Sequence, residues 1–137
     1  MEIIDLPLAM ADDVVALWQE CGLTRPWNDP HADLKRALAG PTSTVLGFAE
    51  DGVVVGAVMV GHDGHRGWVY YLAVRPDRRG TGLGRALMQA SERWLVQRGV
   101  PKIQLMVRTT SAPVISFYET LGYEDGEVVV LGKFLDQ

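Results

Sequence analysis

Gly80, Gly82 and Gly84 fall where two different sequence patterns meet. Upstream, the apolar run Trp68-Val69-Tyr70-Tyr71-Leu72-Ala73-Val74 reads as a buried strand. Downstream, Leu83, Leu87, Ala90, Trp94 and Leu95 recur at close to helical spacing. The segment is therefore strand, glycine-rich turn, helix. Glycine admits dihedrals that a Cβ forbids and lets a ligand approach the backbone. The first N–H groups of a helix are unpaired and carry the positive end of its dipole. Arg78, Arg79 and Arg85 add formal positive charge. Together these make an anion site, most naturally for a phosphate or pyrophosphate.

Spacing narrows the kind of anion. A Walker A loop requires Gly-x-x-x-x-Gly-Lys-Ser/Thr, and no such run occurs. The dinucleotide fingerprint Gly-x-Gly-x-x-Gly puts its third glycine where Arg85 stands. It also wants an acid about 20 positions on, where the chain has Pro101-Lys102-Ile103. What does fit is Arg79-x-x-Gly82-x-Gly84, preceded by Val74-x-Pro76.

The remaining chain supplies the elements around this unit. A short strand at 2–6 ends at Pro7. A helix over 11–20 presents Val14, Val15, Leu17 and Trp18, with Asp12 and Asp13 in its first turn and Gly22 as its stop. Asp29 caps a second helix over 30–39, with Pro30 at its first position. Strands at 44–49 and 53–60 flank Asp51-Gly52, a hairpin signal. A polar turn, Gly61 to Gly67, leads into the strand at 68–75. After the helix at 82–98 come a strand at 102–107, a helix at 112–121 stopped by Gly122, and closing strands at 123–124 and 128–134. The order β-α-α-β-β-β-α-β-α-β-β mixes hairpins with β-α-β units. It predicts an α/β (α+β) fold, a mixed and mostly antiparallel sheet with helices on both faces, as a single domain over 1–137.

The net charge of −4 argues against a nucleic-acid partner by bulk electrostatics. One cysteine, Cys21, excludes an internal disulfide and suits a reducing compartment. The longest apolar stretch, Val53 to Val60, is far short of a membrane span, and the N-terminus shows no signal peptide. A cytoplasmic protein with no membrane partner is expected.

The stretch Leu72-Ala-Val-x-Pro-x-x-Arg-Arg-Gly-x-Gly-Leu-Gly84 resembles the acyl-CoA loop of the GNAT superfamily of N-acyltransferases. A second family signature, a helix ending in Phe/Leu-Tyr-x-x-x-Gly-Phe/Tyr, is matched by Phe117-Tyr118-x-x-x-Gly122-Tyr123. The element order matches as well. Arg25-Pro-Trp-Asn-Asp-Pro30, Gly64-His-Arg-Gly67 and Pro101-Lys-Ile-Gln104 resemble a bacterial subgroup of predicted acetyltransferases. The resemblance implies acetyl-CoA as co-substrate and no metal. It implies a pyrophosphate gripped by backbone N–H groups over Arg78, Arg79, Gly80, Thr81, Gly82, Leu83, Gly84 and Arg85. It also implies a pantetheine arm along the main chain of Leu72, Ala73 and Val74, in a gap between that strand and the next.

The same resemblance makes Tyr118 the general acid that protonates the departing thiolate. Helical spacing alone reads Tyr118 as a core residue. Where the family often has Asn, seven positions earlier, this chain has Ser111, which can cap the helix and donate one hydrogen bond. The loop between the first two helices, with Arg25, Trp27, Asn28 and Asp29, would form the acceptor pocket together with His65 and Tyr70. Trp27 packing under its own loop and Asp29 serving only as a cap are the structural alternatives. The strand at 68–74 carries no carboxylate or histidine to act as base, which leaves Asp63, His65, Tyr70 or Tyr71. His62-Asp63-Gly64-His65 lacks a third ligand for a metal. The expected activity is acetyl transfer to a primary amine of a small molecule or peptide, in a possible homodimer. The alternative is a non-catalytic acyl-CoA-binding module.

Overall fold

A computed structural model describes residues 1–136. It contains two compact units, residues 1–106 and the segment from Val107 onward. The first unit holds β1 (Ile4–Asp5), α1 (Ala11–Glu20), α2 (Pro30–Ala39), β2 (Ser43–Glu50), β3 (Val53–His62), β4 (Gly67–Val74), α3 (Leu83–Gln97) and β5 (Ile103–Gln104). Its sheet has the order β1-β2-β3-β4-β5, antiparallel through β4 and parallel between β4 and β5. The mixed, mostly antiparallel sheet is the one expected.

Both faces of the sheet are covered. On one, Val14, Trp18 and Leu34 of α1 and α2 bury against Val45, Ala57 and Ala73. Full burial of such an aliphatic side chain stabilises by roughly 1.5–3 kcal/mol. On the other face lies α3, so close that a Cβ at Gly56 would stand 2.7 Å from Leu83 Cδ2. A Cβ at Gly67 would collide with Leu95. The absence of side chains at these two strand positions sets how near α3 sits.

Local signals act as anticipated. Asp29 Oδ1 accepts from the Ala32 N–H at 3.1 Å, with Pro30 following it in the first turn of α2. Asp51 and Gly52 both hold positive φ, +54° and +79°, as a two-residue hairpin of type I′ requires. The helices α1 and α3 end in the same cap. Leu23 N–H reaches Trp18 O and Val100 N–H reaches Leu95 O, with Gly22 and Gly99 one residue before.

The second unit contains α4 (Ala112–Thr120). Two expectations fail here. The strands at 123–124 and 128–134 do not form, and Val128, Val129, Val130 and Leu131 are exposed. Their β-propensity is real, but a strand exists only when an edge pairs with it. The strand expected at 102–107 is likewise cut to Ile103–Gln104.

Candidate functional site

The turn after β4 is built to leave its amides free. Gly80 and Gly82 hold φ of +79° and +87°, where an L side chain is strained. A Cβ at either would meet nothing within 4 Å, so glycine is required there by the dihedral alone. Thr81 Oγ1 donates to Arg78 O at 2.5 Å and braces the turn. Gly82 is the N-cap of α3, and the first bond of the helix runs from Ala86 N–H to Gly82 O at 3.0 Å. Among the described residues, no N–H from Gly80 to Arg85 has an acceptor. Six successive unpaired donors at a helix start form an anion cradle.

The arginines around this cradle differ. Arg78 Nη1 donates to Glu50 Oε2 at 3.1 Å, and Nη2 pairs with Oε1, so its guanidinium is bound across both oxygens. That hydrogen bonding holds the Glu50 carboxyl below its ordinary value. Arg75 is similarly taken by Asp77, at 2.6 and 3.1 Å. Arg79 and Arg85 are exposed and have no acidic partner among the described residues. Of the three arginines anticipated at the cradle, two are available to an anion and Arg78 is engaged.

The strand that feeds the turn has an open edge. β4 pairs with β5 only at Gly67–Ile103 and Trp68–Gln104, and from Val69 to Val74 no strand flanks it on that side among the described residues. Arg75 N–H donates to Val55 O of β3 at 2.9 Å. By alternation, the main-chain groups of Ala73 face β3, and those of Leu72 and Val74 face the open edge. Cys21 Sγ donates to Val74 O at 3.3 Å, so that carbonyl is already occupied.

A β-bulge interrupts β4 between Tyr70 and Ala73, where the pairing to β3 shifts register. Tyr71 at the bulge holds φ of +56°, an outlier for a bulky residue. Its ring stacks on Trp18 at 3.9 Å with 9° between planes. Its hydroxyl donates to Asp33 Oδ2 at 2.8 Å. Burial, then the hydrogen bond to Asp33, push the phenol up to about 12, which leaves Tyr71 protonated and unsuited as a base. Neither Asp33 nor the bulge shows in the sequence, since an acid on an amphipathic helix is the ordinary solvated case.

The Trp27 loop divides into spent and free groups. Arg25 Nη1 donates to Gly22 O at 2.7 Å and Thr24 O at 2.9 Å, folding back on its own backbone. Asp29 is the cap of α2. Trp27 is 58% exposed and does not pack beneath its loop. Asn28 is exposed. In the turn before β4, Asp63 Oδ1 accepts from His65 and Arg66 N–H, both at 2.8 Å. These bonds keep its carboxyl below the ordinary value. The His65 side chain is exposed. Tyr70 is 43% exposed, and burial followed by the Asp63 charge raises its phenol. No group of three or more His, Cys, Asp or Glu suited to a metal occurs among the described residues. Nor is any helix among them long and apolar enough to cross a membrane.

In the second unit, the Tyr-x-x-x-Gly-Tyr pattern is a helix cap. Tyr123 N–H donates to Tyr118 O at 3.1 Å and Gly122 N–H to Glu119 O at 3.0 Å. Gly122 sits at φ +93°, which is the Schellman arrangement. The rings of Tyr118 and Tyr123 meet edge to face at 5.8 Å, and Phe117 packs on Tyr118 at 5.1 Å. Burial pushes the Tyr118 phenol up to about 12. Ser111 occupies the N-cap position of α4, but contrary to expectation its side chain makes no capping bond. Its carbonyl instead accepts from Val114 and Ile115 N–H at 3.1 and 3.0 Å. With φ −96° and ψ 64°, Ser111 lies away from the extended conformation of an ordinary N-cap.

Comparisons with known proteins agree with this fold. The family model described as "Acetyltransferase (GNAT) family" matches residues 11–123. An acetyltransferase of Yersinia pestis is 46% identical over 124 residues, covering 90% of this chain and 88% of the relative. An acetyltransferase of Yersinia enterocolitica is 44% identical over 135 residues, covering 98% and 96%. Among solved structures, the aminoglycoside N-acetyltransferase AAC(6')-Iy in complex with CoA superposes with a TM-score of 0.84 at 17% identity, covering 98% of this chain and 94% of that one. The aminoglycoside 6'-N-acetyltransferase of Acinetobacter haemolyticus gives 0.80 at 18% identity, covering 99% and 100%.

Proposed function

The chain belongs to the acetyltransferase (GNAT) family and is an acyltransferase, and on that premise we propose that it moves an acetyl group from acetyl-CoA to a primary amine of a small molecule or peptide, with Tyr118 as general acid. The run of six unpaired amides from Gly80 to Arg85 carries the donor half. These N–H groups, with Arg79 and Arg85, would hold the CoA pyrophosphate. The open glycine positions leave room for a phosphate to approach the backbone. Leu72 and the Val74 N–H would orient the pantetheine arm and polarise the thioester oxygen. Bound acetyl-CoA supplies the activated acyl group.

The remaining chemistry is proton handling. The amine nitrogen forms a bond to the carbonyl carbon as the carbon–sulfur bond breaks, and the sulfur takes its proton from Tyr118 Oη. At about 12 the phenol is protonated throughout the working range. Transfer to a thiolate of ordinary pKa, roughly 8.5, is uphill. It becomes closer to balanced where the thiolate loses hydration as the phenol has. The proton shed by the amine leaves to water, since β4 places no carboxylate at its face, and water returns a proton to the Tyr118 phenolate, which closes the cycle.

For the acceptor, Trp27 and Tyr70 offer exposed aromatic surface suited to a cation. Asn28 and His65, both exposed, complete the proposed pocket, while Arg25 and Asp29 brace the loop that carries Trp27. Because solved relatives are aminoglycoside acetyltransferases by name, polyamine-like amines head the substrate panel. Both units would serve as one functional domain, in the cytoplasm, where Cys21 stays a thiol. A homodimer is supported by the exposed run Val128 to Leu131, and sedimentation tests it.

Thiol release from acetyl-CoA over amino acids, polyamines, aminoglycosides and peptides tests the activity. Binding of CoA with no release across that panel would favour a non-catalytic CoA-binding module. Tyr118→Phe is expected to lower kcat by about 10²–10⁴-fold while CoA affinity holds. A collapse of CoA binding would return Tyr118 to a structural role.

A further inference from the structure

We propose that Asp33 is a positioning residue for the donor: through Tyr71 it locks the bulge of β4 and so fixes which main-chain groups face the open edge. The inference rests on the acetyl-transfer reading for its catalytic consequence, though not for its geometry. A bulky residue at φ +56° within a strand persists only where its surroundings over-determine it. Tyr71 is held at both ends of its side chain. The ring lies flat on Trp18, itself fully buried and so a fixed platform. The hydroxyl is anchored by Asp33 Oδ2 at 2.8 Å. Asp33 is held in turn by Arg36 one turn along α2 through its other oxygen.

The clamp matters because of what lies on either side of the bulge. Before it, Tyr70 registers with Met59; after it, Ala73 registers with Ala57. One residue of β3, Val58, thus opposes two of β4, Tyr71 and Leu72. If the extra residue relaxed into a regular ladder, every later residue would rotate to the opposite edge. The main-chain groups of Leu72 and Val74 would then turn toward β3, and the edge that must meet the thioester would present Ala73 instead. The hydrogen bond from Tyr71 to Asp33 crosses 38 positions of sequence to prevent this. It also links the bulge to α2, the helix that begins directly after the Trp27 loop.

Three variants separate the clamp from bulk structure. Tyr71→Phe keeps the stack on Trp18 and removes only the hydroxyl. Asp33→Ala removes the acceptor, and Asp33→Asn keeps an acceptor oxygen without the charge. Tyr71→Phe and Asp33→Ala are expected to lower kcat by about tenfold or more, with KM for acetyl-CoA within roughly twofold. Asp33→Asn is expected to restore kcat to within roughly threefold of the parent, and the double variant Tyr71→Phe/Asp33→Ala to be no slower than the slower single. In the free protein, the amide resonances of Leu72 and Val74 should move in Tyr71→Phe and Asp33→Ala and return in Asp33→Asn. Parent-like turnover in Tyr71→Phe, or Asp33→Asn as slow as Asp33→Ala, would overturn the clamp. The resonances are read without substrate. A parent protein that releases no thiol would therefore refute acetyl transfer while the clamp is still decided.

Discussion

Replacing Gly82 by alanine tests whether the anion cradle depends on one backbone dihedral. The residue stands at φ +87°, and a Cβ there meets no atom within 4 Å. The cost is therefore dihedral strain with no packing contribution, about 1–2 kcal/mol. An unfolding entropy of about 2.1 cal/mol/K per residue over this chain converts that into a fall in Tm of roughly 3–7 °C. Alanine can escape the strain only by turning φ negative, which swings the Gly82 and Leu83 amides out of the row. Each lost hydrogen bond to a charged phosphate costs about 2 kcal/mol, roughly 30-fold in Kd. Titration calorimetry with CoA should show that loss beside the lowered Tm. Asparagine tolerates the left-handed region better than alanine, so Gly82→Asn should recover much of both. If Gly82→Ala lowered Tm but bound CoA as the parent does, the amide row would not be the pyrophosphate site.

Arg79→Ala should weaken CoA binding at low salt by more than Arg78→Ala does, because Arg78 is held by Glu50, and the difference should shrink as salt screens it; the reverse ranking would make the Glu50 pair an open gate and not a brace. Gly122→Ala should cost about 1 kcal/mol or more through its φ of +93°, read as lower Tm or, for a locally unfolding unit, faster amide exchange over α4. Alkaline stability follows from two tyrosines. Tyr71 and Tyr118 titrate near 12 in the native state and near 10 when unfolded, so between pH 10 and 12 the unfolded chain sheds protons that the native one keeps. Stability should fall as pH rises through that window, by at most about 1.4 kcal/mol per pH unit for Tyr118 and by less for Tyr71, which solvent screens more. Urea titrations at pH 9 and 11 should show a smaller drop in Tyr118→Phe, and an unchanged drop would contradict the burial-driven shift.

The parts legible in the sequence are those that a local backbone requirement writes into a residue type. Gly80 and Gly82 announce the turn because no other residue holds those dihedrals without strain. Asp29-Pro30 announces a helix start and Asp51-Gly52 a hairpin for the same kind of reason. The closing strands at 123–124 and 128–134 are expected from apolar runs on either side of the turn Asp125-Gly126-Glu127. They fail because Val128 to Leu131 need an edge that no local signal supplies. The bulge at Tyr71 is also hidden, since it is stabilised by Trp18 from 53 positions away and by Asp33 from 38. Likewise, nothing near Arg78 in sequence says that Glu50, 28 positions earlier, takes its charge.

The two family signatures therefore carry different weight. The glycine loop leaves six successive donors without a protein acceptor, more than the four of an ordinary helix start, and such a row offers an anion a ready site. The Tyr-x-x-x-Gly-Tyr pattern is fully explained by a cap: it uses the carbonyl of Tyr118, the dihedral of Gly122 and the contact between two rings. None of these needs the Tyr118 hydroxyl, and phenylalanine at 118 would satisfy all three. The pattern alone reports how α4 ends, and only the hydroxyl can report a proton donor. Tyr118→Phe should accordingly keep the Schellman bonds and the melting temperature, so that any loss of turnover belongs to the one atom removed. If its kcat matched the parent's, the signature would be a structural cap in this chain, and the thiolate would take its proton from water.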